Sequence, residues 1–268
     1  MQVSKVLSAA AKGKWALVTG ASAGIGTALA EQLAAAGTNL VLTARRADRL
    51  EALATRLKSA YKIEARTIAV DLALPDAPQQ LLAATEEAGL AIDILINNAG
   101  FGYYGEFAEG DAAWQRQMVD LNCSAVVHLT RLFLPKMIER RRGYVMIVAS
   151  TAAYQPVAYM ATYAATKVFD RFLAEALAHE VADYGVKVSA LCPGPTESEF
   201  HEVAGTRSQF GRGRQSAEDV ARLGLEGLLA GKPWVIPYGA GKVMVFMQRF
   251  MPRRMVSGAA ARMFRPKK

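Results

Sequence analysis

WALVTGASAGIG, at positions 15–26, is the stretch that decides the fold. It joins a short apolar run to a glycine-rich turn, and the helical pattern TALAEQLAAAG follows at once. Strand, turn and helix in this order form a cradle for phosphate, because glycines allow a close backbone approach and the helix N-terminus offers free N–H groups. The spacing G-x-x-x-G-x-G differs from the commoner G-x-G-x-x-G, so the match to the general dinucleotide fingerprint is imperfect. The context nevertheless favours a phosphate site over an ordinary glycine-rich turn.

Outward from this stretch, short apolar runs alternate with helical patterns along the chain. Alternation of this kind is typical of an α/β fold with a parallel sheet. No internal repeat or low-complexity linker interrupts it, and 268 residues are ordinary for one such sheet. We therefore expect one doubly wound parallel sheet of about seven strands with helices on both faces. The predicted strands cover residues 15–19, 39–43, 63–70, 93–96, 144–149, 186–191 and 234–236.

Three polar side chains later in the chain can form a proton-donating site. Ser150 ends the apolar run YVMIVAS, which is typical of a buried strand. Tyr163 and Lys167 are four residues apart, so on a helix they lie on one face. A tyrosine ordinarily ionises near pH ~10, and a cation close by favours its phenolate. We therefore expect Lys167 to lower the pKa of Tyr163 toward neutral pH.

The joint pattern resembles the short-chain dehydrogenase/reductase family. The matching motifs are, in chain order, Thr19-Gly20-Ala21-Ser22-Ala23-Gly24-Ile25-Gly26, Asn97-Asn98-Ala99-Gly100, Asn122, Ser150, Tyr163-x-x-x-Lys167 and Pro193-Gly194. The resemblance covers residues 14 to about 240 and implies a nicotinamide-dependent oxidoreductase built on a single Rossmann-like domain. We place that catalytic domain at residues 1–240 and a helical C-terminal extension at residues 241–268. The family has Thr where this chain has Ser198, and a hydroxyl is retained there.

The resemblance also implies which residues hold the cofactor. Asp71 resembles the family residue that bonds the adenine amino group, and Asn98 the one that steadies the central strands. The full predicted set outside the second strand is Gly20, Ser22, Ala23, Gly24, Ile25, Gly26, Asp71, Leu72, Asn98, Ala99, Gly100, Tyr163, Lys167, Pro193, Gly194, Thr196 and Ser198.

The end of the second predicted strand indicates which nicotinamide cofactor is used. A dinucleotide fold that prefers NAD usually has a carboxylate there, whereas this chain continues with Arg45 and Arg46. Guanidinium groups suit bidentate contact with the 2′-phosphate of NADP, and Ser22 can add a hydrogen bond. The alternative is that both arginines begin a solvated helix and that Asp48 neutralises one of them. We predict NADP(H).

The family resemblance assigns chemical roles to four catalytic residues. Ser150 donates a hydrogen bond to the carbonyl oxygen of the substrate, and Tyr163 delivers the proton as general acid. Lys167 holds the nicotinamide ribose hydroxyls, and Asn122 anchors a water that links Lys167 to solvent. Each residue alone has a structural explanation, but the combination at these positions predicts a reductase site.

Aromatic residues near these motifs are predicted to form the substrate pocket. Such walls suit a hydrophobic ketone, although several of them can instead fill the core or an oligomer contact. Residues 197–215 are polar and weakly periodic, and they are predicted to form a mobile lid. The predicted pocket residues are Phe101, Tyr104, Ser150, Tyr154, Tyr159 and Phe200.

We therefore expect NADPH-dependent reduction of a bulky hydrophobic ketone to a secondary alcohol, reversible as an alcohol dehydrogenase. One alternative is a 3-oxoacyl reductase acting on a carrier-bound or CoA-bound chain, and a hydroxysteroid dehydrogenase is a special case of the first interpretation. A different class is an NADPH-sensing protein without catalysis, but a sensor needs no proton donor. Relatives form dimers and tetramers, so a homo-oligomer is expected.

The C-terminal extension carries the net charge of the chain. Residues 241–268 contain eight basic side chains and no acidic one, which accounts for the formal net charge of +8. Apolar residues recur there at four- to five-residue steps, and Pro252 is expected to start a second helical piece. We rank docking over the fold or a subunit contact first, weak attachment to a membrane surface second, and nucleic-acid binding a distant third.

Composition excludes several other classes. The first residues have too short an apolar core for a signal peptide, and no run of 18 uncharged apolar residues exists. Two cysteines give no disulfide framework, which favours a cytoplasmic location. The three histidines lack ligand spacing, so no metal site is expected.

Overall fold

The apolar runs of the sequence form seven parallel strands in the computed structural model, which describes residues 5–205 and 215–266. They lie in one sheet in the order β3-β2-β1-β4-β5-β6-β7, and every neighbouring pair is parallel. This confirms the predicted doubly wound fold. The strand order reverses between β1 and β4, where such sheets leave a crevice at the carboxyl ends of the strands. The strands are β1 Trp15–Thr19, β2 Asn39–Ala44, β3 Ala65–Ala69, β4 Ile92–Asn97, β5 Gly143–Val148, β6 Val186–Leu191 and β7 Trp234–Val235.

Helices connect successive strands and cover both faces of the sheet. A single turn of π-helix, Asp120–Ser124, joins two of them without a break, and short 3-10 turns lie at Phe107–Glu109, Thr151–Tyr154 and Ala182–Tyr184. The α-helices are α1 Lys5–Ala11, α2 Gly24–Ala35, α3 Ala47–Tyr61, α4 Ala77–Glu87, α5 Ala112–Val119, α6 Ala125–Glu139, α7 Ala161–Glu180, α8 Phe200–Val203, α9 Ala217–Leu229, α10 Gly239–Gln248 and α11 Arg253–Met263.

The sheet is buried between two apolar layers. Neighbouring residues of β1 show this: Leu17 belongs to the layer under α4, α6 and α7, whereas Val18 belongs to the layer under α1, α2, α3 and α9, and both are fully buried. Strands covered on both faces therefore read as continuous apolar runs instead of alternating ones. The central strands are held rigidly, and their carboxyl ends can position a site.

Element boundaries differ slightly from the sequence prediction. Lys62 ends α3 in the left-handed conformation with φ 57°, so β3 begins at Ala65, two residues later than expected. The last helical piece starts directly after Pro252, as predicted, because proline can precede a helix but not continue one. The helical extension itself begins at Gly239, slightly before residue 241.

Within the described ranges, no helix combines the length and apolar character needed to cross a bilayer.

Candidate active site

A single cleft of about 510 Å³ collects the sequence motifs at the carboxyl ends of the strands. Of the predicted cofactor and catalytic residues, Gly26 and Asn122 lie outside its lining, and their contacts are described below. The predicted cofactor and catalytic residues that line the cleft are Gly20, Ser22, Ala23, Gly24, Ile25, Arg45, Arg46, Asp71, Leu72, Asn98, Ala99, Gly100, Ser150, Tyr163, Lys167, Pro193, Gly194, Thr196 and Ser198.

The glycine-rich turn is shaped by close backbone contacts. Gly20 has φ +64°, a conformation that a residue with a side chain rarely adopts. A Cβ atom on Gly26 would lie 2.3 Å from the Gly20 carbonyl oxygen and 2.5 Å from the amide nitrogen of the Asn98 side chain. Gly26 therefore permits the close packing of the turn against Asn98, whereas Gly24 and Ile25 line the cleft.

Asn98 and Thr19 tie the glycine-rich turn to the end of β4. The Asn98 side-chain amide donates to the carbonyl oxygens of Thr19 at 2.9 Å and Gly20 at 3.2 Å. The Thr19 hydroxyl accepts from the backbone N–H groups of Asn98 and Ala99 at 2.9 and 3.0 Å. This network fits the predicted role of Asn98 in steadying the central strands.

Arg46 lies at one end of the cleft with fixed partners. Its guanidinium donates to the Ser22 hydroxyl, with Nη2 at 3.1 Å, and to the Glu199 carboxylate, with Nη1 at 2.7 Å. Arg49 donates to the other Glu199 oxygen at 2.5 Å. These hydrogen bonds hold the pKa of Glu199 below its usual value, the bond from Arg49 contributing most. Glu199, which sequence reasoning missed, takes the pairing role suggested for Asp48.

Arg45 is exposed at the same end of the cleft. Two arginines and a serine hydroxyl thus face one end of the cleft, with a single carboxylate among them.

Ser150 and Tyr163 meet on the opposite side of the cleft. Ser150 follows β5 in an extended conformation, and its hydroxyl accepts from the Ala152 N–H at 3.1 Å. Tyr163 lies in the first turn of α7 and is 8% exposed. Burial raises the pKa of Tyr163 above its usual value, although Lys167 and a hydrogen bond with Ser150 oppose this effect. Lys167 therefore acts on the Tyr163 pKa in the expected direction, but burial is the larger effect and the pKa does not move toward neutral pH.

Lys167 is held by a buried carboxylate that the sequence analysis did not single out. Its Nζ donates to Asp170 Oδ2 and to the Val148 carbonyl oxygen, both at 2.8 Å, and both charged side chains are buried. Burial lowers the pKa of Lys167, but the charge of Asp170, its hydrogen bond and the nearby Tyr163 together outweigh burial and raise it. The i,i+3 spacing of lysine and aspartate on a predicted helix was the available signal. Asp170 offsets the positive charge that would otherwise favour the Tyr163 phenolate.

Asn122 lies on the π-helical turn and is fully buried. Its side chain accepts from the Phe101 N–H at 3.2 Å and donates to the Phe101 carbonyl oxygen and the Thr166 hydroxyl, both at 3.0 Å. A Cβ atom on Gly100 would lie 3.0 Å from Asn122 Oδ1 and 3.6 Å from Lys167 Nζ, so the two side chains approach each other beside Gly100. Single π-helical turns are frequent at functional sites.

The predicted pocket residues separate into two groups. Phe101, Ser150 and Phe200 line the cleft, and the Phe200 ring centroid lies 5.2 Å from that of Tyr163. The other three lie outside its lining. Tyr154 directs its hydroxyl toward Cys192 Sγ at 3.9 Å, Tyr104 donates to the Phe264 carbonyl oxygen at 2.9 Å, and Tyr159 has φ 66° in a turn.

Helix α10 and the end of α11 supply walls that the pocket prediction left out. Met244, Met263 and Phe264 line the cleft, as does Tyr238 immediately before α10. The spacing of apolar residues in the tail predicted an amphipathic helix, but local pattern cannot show where that helix docks. Of the predicted lid, residues 197–205 and Gln215 are described, and residues 206–214 lie outside the described ranges.

Neither cysteine nor histidine forms a metal centre in the described part of the chain. No group of three or more potential ligands occurs there. Cys123 and Cys192 are free, and burial raises the pKa of each thiol to about 12. Both therefore remain protonated at neutral pH.

Comparison with known proteins places this geometry in a family. The family model described as short chain dehydrogenase matches residues 14–208. A very-long-chain 3-oxoacyl-CoA reductase from Danio rerio is 35% identical over 192 residues, which cover 70% of this chain and 61% of that protein. The chain thus spans about three fifths of the length of that curated relative.

Solved structures are similar over a larger share of the chain. A short-chain dehydrogenase from Sphingobium yanoikuyae in complex with NADPH has a TM-score of 0.81 and 29% identity, covering 88% of this chain and 93% of that one. The bulky-bulky ketone specific alcohol dehydrogenase from Comamonas testosteroni has a TM-score of 0.77 and 29% identity, with 88% and 92% covered. A family member from Burkholderia phymatum in complex with NAD has a TM-score of 0.81 and 26% identity, with 90% and 94% covered. The protein belongs to the short-chain dehydrogenase/reductase family of oxidoreductases.

Proposed function

We propose that this protein reduces the 3-oxo group of a long-chain acyl thioester to a secondary alcohol, using NADPH. The observation that carries the proposal is the position of Tyr163. It stands between the glycine-rich end of the cleft and an apolar end walled by Phe101, Phe200 and Phe264.

The residues of the cleft fit a nicotinamide dinucleotide. The turn before α2 has no room for side chains at Gly20 and Gly26, so a ligand can approach the backbone closely. Ala23, directly before α2, has no side-chain acceptor, which leaves the first amides of the helix to a phosphate. Asp71 and Asn98 line the same end of the cleft. When bound, the nicotinamide supplies the hydride that reduces the carbonyl carbon.

The arginine pair supports NADPH over NADH. Arg46 already donates to the Ser22 hydroxyl. A phosphate bound beside both side chains would accept a charge-assisted hydrogen bond from the Arg46 guanidinium and a neutral one from the Ser22 hydroxyl. Exposed Arg45 can turn toward the same group. The carboxylate of Glu199 reaches Arg46 from the far side and leaves the Ser22 contact intact.

Tyr163 and Ser150 perform the proton chemistry in this proposal. The raised pKa of Tyr163 keeps its phenol protonated at neutral pH, so it can donate a proton to the developing alkoxide. Ser150 polarises the carbonyl oxygen through its hydroxyl. Lys167 stabilises the phenolate left behind, and its fixed position between Asp170 and Val148 keeps that charge close to Tyr163.

The substrate class follows from the apolar end of the cleft. Methionine side chains are flexible and adapt to irregular shapes, so Met244 and Met263 suit a mobile acyl chain. The similarity to very-long-chain 3-oxoacyl-CoA reductases supports this class over the bulky hydrophobic ketone that the aromatic residues suggested in the sequence.

Steady-state NADPH oxidation with a series of 3-oxoacyl-CoA thioesters of increasing chain length tests the proposal. We expect kcat/KM to rise with chain length until the apolar end is filled, and the Tyr163→Phe variant to be inactive on all of them. Turnover that is independent of chain length, or present only with small ketones, would contradict it.

A second candidate is reduction of bulky ketones without a thioester. The aromatic walls contributed by Phe101, Phe200 and Phe264 favour it, as does the similarity to the Comamonas testosteroni enzyme. Diaryl ketones assayed beside the thioesters separate the two candidates by their kcat/KM values. Tight NADPH binding without turnover on either class would instead support the non-catalytic sensor.

A further inference from the structure

The C-terminal arm, defined here as residues 239–266, has an inner face that is docked on the catalytic body. On α10 this face comprises Gly241, Met244, Val245 and Gln248. Met244 lines the cleft, Val245 packs against the apolar layer under α7, and Gln248 contacts Gln155. These positions recur at three- and four-residue steps, which is the spacing of one helix face.

The outer face of the same helix is apolar although it is exposed. It comprises Val243, Phe246, Met247 and Phe250, of which Phe246 is 56% and Phe250 71% exposed. Met255 and Met263 on α11 are also largely exposed, and Met263 borders the cleft as well. A surface helix usually turns charged residues outward, so a row of large apolar side chains there indicates a binding surface.

Basic side chains surround this apolar row. Within residues 239–266 no acidic residue occurs, and no ion pair between described residues involves any of the six basic residues there. All six are exposed. They are Lys242, Arg249, Arg253, Arg254, Arg262 and Arg265. The partner of this face is therefore expected to combine negative charge with an apolar interior.

A second copy of the chain fits this requirement poorly. A two-fold interface would bring the same patch of both copies together and place six cations against six. Residues 1–240 are neutral overall, so they bring no net negative charge to offset these cations. An acidic carrier protein would satisfy the cations but would not cover six large apolar side chains.

We propose that the C-terminal arm docks on an anionic lipid surface, with its outer apolar side chains inserted at the headgroup boundary and its arginines among the headgroups. Helices with an apolar face and a basic polar border bind membrane surfaces in this manner. Each basic residue near an anionic surface strengthens binding by roughly fivefold, and each buried aromatic side chain adds about tenfold or more.

This docking goes beyond the proposed function and does not depend on it. Where the proposed function also holds, it has a further consequence. The arm that meets the lipid on its outer face lines the cleft with Met244, Met263 and Phe264. Docking therefore brings the apolar end of the cleft close to the lipid bilayer, whose apolar interior takes up long acyl chains.

Co-sedimentation of the full chain with vesicles tests the proposal without any substrate. One set of vesicles contains phosphatidylcholine alone, and the other contains phosphatidylcholine and phosphatidylglycerol at about three to one. We expect binding to the anionic set, weakened by salt. Phe246→Ser with Phe250→Ser should reduce it about 100-fold or more, and Arg253→Gln with Arg254→Gln roughly 25-fold.

Matched controls separate the arm from general surface effects. Phe172 on α7 is 57% exposed, as Phe246 is, and Phe172→Ser should leave binding unchanged. Arg116→Gln with Arg131→Gln removes two exposed cations from other helices and should also leave it close to the parent value. An NADPH titration of each variant checks that the body is folded.

Three outcomes would overturn the proposal. The first is no binding to anionic vesicles, and the second is equal loss in the arm and control variants. The third combines two results: the parent does not bind vesicles, and the arm variants change oligomeric state in analytical ultracentrifugation. That result would assign the outer face of the arm to contact with a second copy of the chain. If the parent chain binds anionic vesicles but shows no reductase activity, only the proposed function is contradicted.

Discussion

The two walls of the cleft are built in opposite ways. On the α7 side, charged and polar groups are buried: Lys167 and Asp170 form a buried ion pair, and Lys167 also donates to the Val148 carbonyl oxygen. On the C-terminal side, apolar groups are exposed on the outer face of the arm, and flexible methionines line its inner face. Fixed polar geometry suits the chemical step, whereas an adaptable apolar wall suits the choice of substrate.

The largest expected effect comes from the fixed wall. Tyr163→Phe removes the proton donor and little else, because the ring stays packed against Phe200. We expect turnover to fall by about 1,000-fold or more while NADPH affinity changes less than about threefold. Stopped-flow turnover and a fluorescence titration with NADPH measure the two quantities. If the variant retained its turnover, Tyr163 would not be the proton donor, and the α7 side of the cleft would not be the part that carries out the chemical step.

Next in size is the effect of the arginine that faces Ser22. Arg46→Ala should weaken NADPH binding by roughly 10- to 100-fold, because a charge-assisted contact to the 2′-phosphate is lost, and should leave NADH binding nearly unchanged. Isothermal titration with both cofactors measures the difference.

Arg56→Ala is the matched control for that variant. Arg56 lies on α3, the helix that Arg46 directly precedes, and pairs with Glu31 away from the cleft. Equal losses for NADPH and NADH in the Arg46 variant would contradict the 2′-phosphate assignment.

A smaller effect concerns the pH dependence that Asp170 imposes. Burial is the main cause that raises the pKa of Tyr163, and the Asp170 charge adds to it. Alcohol oxidation requires the phenolate, so its rate rises with pH through the Tyr163 pKa. Asp170→Asn removes the charge and should move this rise to lower pH, while ketone reduction at neutral pH changes little because the phenol stays protonated.

The pH profile of the oxidation rate distinguishes this from a purely structural role. A variant that merely loosened α7 would lose activity at every pH, and the midpoint of the profile would stay where it is. An unchanged midpoint with full activity would show that Asp170 does not influence Tyr163.

The smallest effect is expected on the adaptable wall. Met244→Ala should raise KM for a long-chain substrate by about fivefold with little change in kcat, because it removes apolar contact that is equal in the ground and transition states. Met247→Ala on the outer face of the same helix is the matched control and should be neutral without membranes. A fall in kcat instead of a rise in KM would mean that the arm takes part in the chemical step.

The fixed wall was largely predictable from the sequence, and the adaptable wall was not. Ser150, Tyr163 and Lys167 were found because each follows a local pattern, a strand end or a helical spacing, that fixes which way the residue faces. Asp170 was missed although its spacing from Lys167 was visible. Glu199 could not have been found from local pattern, since it is 153 residues from Arg46 and meets it only through the sheet topology.

Aromatic residues show the same limit. Phe101 and Phe200 line the cleft, whereas the Tyr154 hydroxyl is directed toward Cys192 in the body of the protein. Met244 lines the cleft, although the prediction assigned its walls to aromatic residues. An aromatic residue beside a catalytic motif can face either way, and only tertiary packing decides between them.

The bond between Thr19 and Asn98 has a consequence for how the protein acquires its cofactor site. The two residues are 79 positions apart, so the glycine-rich turn is held in shape only after β1 and β4 have paired. Pairing over such a distance is a late event, because a long loop must close first. A newly made or partly unfolded chain therefore has little affinity for dinucleotide. By mass action, a saturating cofactor pool then protects the folded enzyme against heat and proteolysis.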